Sequence, residues 1–268
     1  MTVEDIALAL TRLRTGKPLV HCLTNQVVKG FTANVLLAVG AAPAMVEDPE
    51  EAEEFAAIAS ALLINVGTLD QTQMTAMRRA IASANKAEKP WVLDPVAIGA
   101  LTLRTNFVQE IVPAKPAIIR GNASEILTLA GQDGGGRGPE TGVDSTSARE
   151  AAKHLAAQTG AIVLVTGRID YIASPTEVIA VHNGHEMLTR VTGVGCAMGA
   201  IAAAFLGAGE HPLVSATATS ALLGVAGEFA AARTNRPGSF ATALLDYLDI
   251  VDETAIRSRT QIVWNKAT

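Results

Sequence analysis

Cysteine is nearly missing from this chain: Cys22 and Cys196 are the two among 268 residues. Two thiols make no disulfide framework, and the opening segment MTVEDIALAL carries acids where a secretory signal would carry lysines. The expectation is reduced thiols in a cytoplasmic protein. Basic charge is also short, since 21 Lys and Arg against 26 Asp and Glu leave a net charge of -5. The sequence shows no basic stripe, which argues against nucleic acid or an acidic membrane surface as a partner. An anionic ligand stays admissible where its positive partners are local: a metal ion, one or two arginines, or helix N-termini. Long hydrophobic runs are missing as well. Although 49% of the residues are hydrophobic, the longest apolar run, 196–209, is rich in Ala and Gly. It falls short of the ~20 residues a membrane span needs, so a soluble protein is expected. A charged content of only 18% suits an oligomer that hides part of its surface. Neither a tandem repeat nor a clean linker divides the chain, and a single domain over 1–268 is expected.

What is present is alternation. Short apolar runs at 18–24, 42–46, 61–67, 90–94, 116–121 and 161–167 are separated by helix-length segments near 30–39, 49–59, 71–87, 103–111, 122–130 and 147–158. That grammar predicts an α/β fold: a mostly parallel central sheet with helices on both faces. After Gly167 the pattern changes. Three short runs, divided at Pro175-Thr176 and Asn183-Gly184, predict a small antiparallel extension near 170–190. The remainder, from Gly195 to about Leu248, reads as helical. GQDGGGRGPETGVDS, residues 131–145, reads as a mobile loop. Ser147 and Glu150 have capping-box spacing for the helix that follows it, as do Asn122 and Glu125 in NASE.

In an open parallel sheet, ligands bind beyond the carboxyl ends of the strands. The unusual polar residues map there: Asn25 after the first strand, Met45 at the end of the second, Gly67-Thr68 after the third, Asp94 ending the fourth, Arg120 the fifth and Thr166-Gly167 the sixth. Each has a plain structural role to set against a functional one. Asp94 before Pro95 is a common strand terminator, Glu125 can simply cap its helix, and Met45 can be core. Arg120 is harder to dismiss, because a cation closing an apolar strand must reach an anion or water. Two carboxylates on neighbouring strand ends suit a hard cation such as magnesium.

VTGVGCAMGA, residues 191–200, is a glycine-rich turn that opens a helix. Gly193, Gly195 and Gly199 do not have the G-x-G-x-x-G spacing of a dinucleotide site, and the single Gly-Lys pair, Gly16-Lys17, runs into Pro18, so a Walker A loop is also excluded. HNGHE, with His182, His185 and Glu186, reads as solvated turn residues rather than a metal cluster. What remains is a set of backbone N–H groups, from Gly193 to Cys196, converging at a helix N-terminus, a natural seat for anionic oxygens. Cys196 has two readings of equal weight: a thiol with a lowered pKa at that helix end, or a small apolar side chain packed beneath the turn.

Taken in order, HCLTNQV, AAPAMVED, VLDPVAIGA, IIRGNASEI, GVDS, VTG and TGVGCAMG resemble the hydroxyethylthiazole kinase family of the ribokinase-like superfamily. The resemblance implies a ribokinase-like fold and transfer of the γ-phosphoryl group of ATP to the hydroxyl of 4-methyl-5-(2-hydroxyethyl)thiazole, with Mg2+, in thiamine salvage. It also implies a homotrimer with active sites near subunit interfaces. Position by position, it assigns Asn25, Met45, Gly67 and Gly193 to the thiazole, Arg120 and Thr166 to ATP, Asp94 and Glu125 to magnesium, and Gly195 and Cys196 to catalysis. Many ribokinase-like enzymes carry Asp as a base where this chain has Cys196, so the resemblance implies weaker base catalysis here. The alternatives are a ribokinase-like kinase of another small alcohol (a hydroxymethylpyrimidine, pyridoxal or a sugar) and a non-catalytic nucleotide-binding protein.

Overall fold

Parallel strands built from near-continuous apolar residues need both faces of their sheet covered, and the order of elements supplies that cover. The computed structural model of the chain describes residues 1–132 and 144–266. Strands β1 (Leu19–Leu23), β2 (Ala42–Ala44), β3 (Ala61–Asn65), β4 (Trp91–Asp94), β5 (Ile118–Asn122) and β6 (Ile162–Thr166) run parallel. β7 (Asp170–Ala173), β8 (Glu177–Val181) and β9 (Ile262–Lys266) continue antiparallel. Among the described residues they form one nine-stranded sheet in the order β2-β1-β3-β4-β5-β6-β7-β8-β9.

Successive side chains of a strand point to opposite faces, and this divides the sheet between two cores. On β3, Leu63 enters one core while Leu62 and Ile64 enter the other; on β4, Val92 opposes Trp91 and Leu93. The first core is closed by α1 (Val3–Gly16), α2 (Lys29–Val39), α8 (Val194–Gly207), α9 (Pro212–Arg233), α10 (Pro237–Ile250) and α11 (Glu253–Arg259). The second is closed by α3 (Pro49–Ile58), α4 (Gln71–Lys86), α5 (Thr102–Ile111), α6 (Ala123–Leu129) and α7 (Arg149–Thr159). Local chemistry sets the helix ends. Asp48 caps α3 ahead of Pro49, and the Asn122–Glu125 capping box starts α6 with both of its reciprocal bonds formed.

Three expectations are corrected. The third run of the extension, EMLTR, is a 3-10 helix at Glu186–Arg190, so Asn183-Gly184 is not a hairpin turn; the third antiparallel strand is β9, far along the chain. The Ser147–Glu150 capping box does not form. Asp144 instead caps a 3-10 turn at Ser145–Ala148, Ser147 Oγ donates to the Asp144 carbonyl, and α7 starts from Ala148 with no side-chain cap. The run 196–209 is not the one that approaches a membrane span: α9 is long and apolar enough by length and composition, and 83% of its apolar window is buried in the protein. The glycine-rich stretch read as a mobile loop lies, over 133–143, outside the described residues.

Candidate active site

The parallel strands deliver the polar groups to one edge of the sheet. Asn25 lies two residues past β1, Met45 one past β2, Gly67 two past β3, while Asp94 and Thr166 end β4 and β6, and Arg120 sits two residues before the end of β5. Because neighbouring parallel strands are in register, Asn65 of β3 stands opposite Asp94 of β4, and Asn122 of β5 opposite Thr166 of β6. A chain of side-chain hydrogen bonds follows. Asn25 Nδ2 donates to Asn65 Oδ1 at 3.0 Å, and Asn65 Nδ2 donates to Asp94 Oδ2 at 2.6 Å. Asp94 Oδ1 accepts from Arg120 at 3.5 Å, and the other end of that guanidinium donates to Thr166 Oγ1 at 2.8 Å. The sequence-predicted residues of four strands are thus joined in one line.

Asn65 is the member that sequence reasoning missed. It is 1% exposed, and its Oδ1 also accepts the Gly67 N–H at 3.0 Å, so one amide holds the loop after β3 and the buried carboxylate together. Its signal was available: a polar residue closing the apolar strand ALLIN, the pattern that singled out Asp94 and Arg120. Gly67 must be glycine for space, since a Cβ there would stand 2.7 Å from the Asn25 side chain. Met45 is half-buried against the first core, beside the edge strand β2.

The N-terminus of α8 lies over this line. Gly193 has φ 95, a backbone region open to glycine, and sits against Val28 and Phe31 of the segment that begins α2. A Cβ at Gly195 would stand 3.0 Å from the Arg120 guanidinium, and Cys196 Sγ accepts from Asn25 Nδ2 at 3.4 Å. Of the turn's amides, Val194 N–H reaches the Val191 carbonyl at 3.5 Å, while those of Gly195 and Cys196 have no acceptor among the described residues. Free amides at a helix N-terminus, beside a buried arginine, form an anion seat.

Electrostatics decide between the two readings of Cys196. Burial, and then the Asp94 charge, push its thiol up to about 11, so it is held protonated and the lowered pKa expected of a helix end is overruled. Burial also pushes the Asp94 carboxyl up to about 7, with the Arg120 charge opposing and Glu125 adding. Burial opposes the charge of Arg120 too, yet Asp94 and Glu125 hold its pKa above the ordinary value. A second group the sequence reading missed, Asp170, opens β7: burial raises its carboxyl to about 6, while the Gly167 N–H it accepts at 3.0 Å and the Arg120 charge oppose that.

Glu125 is occupied twice. Oε2 accepts the Asn122 N–H at 2.8 Å, completing the capping box, and Oε1 accepts the Ala97 N–H, also at 2.8 Å. Ala97 has φ 59, a left-handed conformation that costs an alanine of order 1–3 kcal/mol. Glu125 therefore holds the turn that follows Asp94 in a shape it would not keep alone. His182, His185 and Glu186 are exposed, and among the described residues no group of three or more His, Cys, Asp or Glu side chains is placed to hold a metal ion.

A parallel sheet with polar strand ends beneath a glycine-turn helix is the architecture of ribokinase-like small-molecule kinases. A ribokinase-like superfamily protein from Enterococcus faecalis superposes with a TM-score of 0.67 over 94% of this chain and 96% of its own, at 12% identity, which shows the fold alone. Residues 10–254 match the hydroxyethylthiazole kinase family, and the chain belongs to that family. It is 56% identical over 239 residues to a hydroxyethylthiazole kinase of Cronobacter sakazakii, covering 89% of this chain and 90% of that one. The structure of the hydroxyethylthiazole kinase protein of Pyrococcus horikoshii superposes with a TM-score of 0.90 at 39% identity, over 97% of this chain and 99% of that chain. The protein is a kinase, a phosphotransferase.

Proposed function

We propose that this kinase transfers the γ-phosphoryl group of ATP to the hydroxyl of 4-methyl-5-(2-hydroxyethyl)thiazole, at the carboxyl edge of β1 to β6. One observation carries the reading: the Asn25–Asn65–Asp94–Arg120–Thr166 line runs beneath the free amides of Gly195 and Cys196. Asn25, Met45, Gly67 and Gly193 bind the thiazole alcohol, and Arg120 and Thr166 bind ATP. Phosphoryl transfer asks for positioning and charge neutralisation more than covalent help. The Gly195 and Cys196 amides and the Arg120 guanidinium receive negative charge on the moving group. Cys196, a protonated thiol hydrogen-bonded to Asn25, orients the acceptor hydroxyl and is no base at neutral pH.

The donor set fits a magnesium ion. Two buried carboxylates, Asp94 and Glu125, share the charge of a single arginine, Arg120. Mg2+ keeps several waters and takes few protein oxygens, so Asp94 and Glu125, whose oxygens all accept N–H groups already, would hold it directly or through water. Such an ion supplies charge neutralisation to the phosphates. The exposed apolar side chains Val27, Leu37 and Ile58 support an oligomer, and the homotrimer and the cytoplasmic location are what the family resemblance implies.

The test is ADP release with ATP, Mg2+ and each candidate alcohol in turn, with the product identified by phosphorus NMR. The thiazole alcohol is expected to give the highest kcat/KM, and a higher value with a hydroxymethylpyrimidine, pyridoxal or a sugar would replace it as the substrate. Sedimentation of the pure protein is expected to give three times the chain mass.

A further inference from the structure

One motif is not absorbed by this mechanism: GVDS, whose Asp144 and Ser145 are described and lie outside the line of site residues. Ser145 is 2% exposed although it begins a surface 3-10 turn, and its Oγ donates to the Ile169 carbonyl at 2.6 Å. Ile169 belongs to the short connection 167–169 between β6 and β7, which leaves directly from Thr166. The same serine meets the other end of that connection: a Cβ built on Gly167 would stand 2.6 Å from Ser145 Oγ and 2.7 Å from its Cβ. Gly167 is not in the left-handed region. It is therefore glycine for space and not for backbone angle, and Ser145 is the residue that denies the space. Thr146 and Tyr171, hydrogen-bonded through their hydroxyls at 3.3 Å, fasten the next step of each segment.

We propose that Ser145 is a positioning residue for the nucleotide. Seated on Gly167 and bonded to Ile169, it sets the place of the Thr166 hydroxyl that Arg120 also holds. The idea rests on the reading of Thr166 as an ATP contact. The alcohol is expected at the far end of the site, at Asn25 and Gly67, so displacing the 167–169 connection acts on ATP and leaves the alcohol alone.

The experiment measures KM for ATP and for the thiazole alcohol in Thr166→Ala, Ser145→Ala, Gly167→Ala and the double variant Gly167→Ala with Ser145→Gly. Gly167→Ala forces the connection away from Ser145, and KM for ATP is expected to rise about tenfold or more with KM for the alcohol unchanged. Ser145→Ala removes one neutral hydrogen bond and is expected to raise KM for ATP about fivefold. The double variant clears the space, since the nearest remaining Ser145 atom is a backbone nitrogen 3.6 Å from the new Cβ. Its KM for ATP is expected to fall back to that of Ser145→Ala. A double variant no better than Gly167→Ala, or equal rises in both KM values, overturns the proposal. If Gly167→Ala does not fold, Ser145→Ala decides alone, and a wild-type KM for ATP there overturns it. Thr166→Ala separates the two ideas: no effect on KM for ATP removes the reading of Thr166, whereas an effect there with none in the Ser145 and Gly167 variants removes only Ser145.

Discussion

At the scale of single residues, burial decides what each site group can do. Cys196 sits at a helix N-terminus, which favours a thiolate, but loss of water and the neighbouring Asp94 outweigh that and hold the thiol up to about 11. Cys196→Ala is therefore expected to slow turnover by less than the ~10²- to 10⁴-fold of a general base. Asp94→Ala is expected to cost more; steady-state kcat of both variants checks the order, and a dead but folded Cys196→Ala enzyme would restore the thiol as essential. Asn65 gives a sharper test, because it acts through others. Asn65→Ala is expected to raise KM for the alcohol about tenfold by freeing Asn25 and the Gly67 loop. In an Asn25→Ala background the same change is expected to raise KM by less, since only its hold on the Gly67 N–H remains to be lost. Additive effects, within about 0.5 kcal/mol, would show that the two amides act independently.

At the scale of elements, the placement of α8 matters most. The helix crosses β3 and β4 closely enough that a Cβ at Gly199 would stand 2.8 Å from Leu63 Cδ1 and 3.7 Å from Asp94 Cβ. The near contact is the tip of a side chain that can turn. Alanine at 199 also gains about 1 kcal/mol of helix propensity over glycine. Gly199→Ala is accordingly expected to leave stability nearly unchanged, whereas Gly199→Leu overpacks the interface and is expected to cost ~1–3 kcal/mol. Urea unfolding measures both. Lifting α8 also carries the Gly193–Cys196 amides away from Arg120, so kcat in Gly199→Leu is expected to fall further than its stability alone implies. The turn after Asp94 shows the same dependence of site on element: Ala97 keeps its left-handed shape because Glu125, anchored by the capping box of α6, binds its N–H.

At the scale of the whole molecule, a buried histidine ties stability to pH. His21 of β1 is 0% exposed; its Nε2 donates to the Val46 carbonyl at 2.8 Å, its Nδ1 has no partner among the described residues, and Phe55 packs edge-on. Burial pulls its pKa below the ordinary 6.5, with the Val46 bond opposing. The unfolded chain then binds a proton that the folded one resists, so this contribution to stability is complete above 6.5 and is lost as pH falls through and below it. Between about pH 7.5 and about pH 5.5 the urea midpoint of the wild type is expected to fall relative to that of His21→Gln, because the raised carboxyls of Asp94 and Asp170, which work in the opposite direction over this range, are common to both proteins. The same pH dependence in both would remove His21 as a contributor.

Sequence by itself determined the alternating α/β order, the six parallel strands, the capping box of α6 and the placing of Asn25, Asp94, Arg120 and Thr166 at one sheet edge. These follow from periodicity, cap chemistry and the rule that parallel strands end on the same side, all local or topological properties. It also carried the family, since the ordered motifs span most of the chain. Tertiary structure alone decided the rest. β9 joins β8 from more than 80 residues away, Asn65 becomes the link between Asn25 and Asp94, and Ser145 closes on Gly167. It also decided that α9, apolar enough for a bilayer, lies in the protein core, and that Cys196 stays protonated. Each of these depends on which groups meet across the fold and how much water they lose there, and neither quantity is written in the neighbours of a residue along the chain.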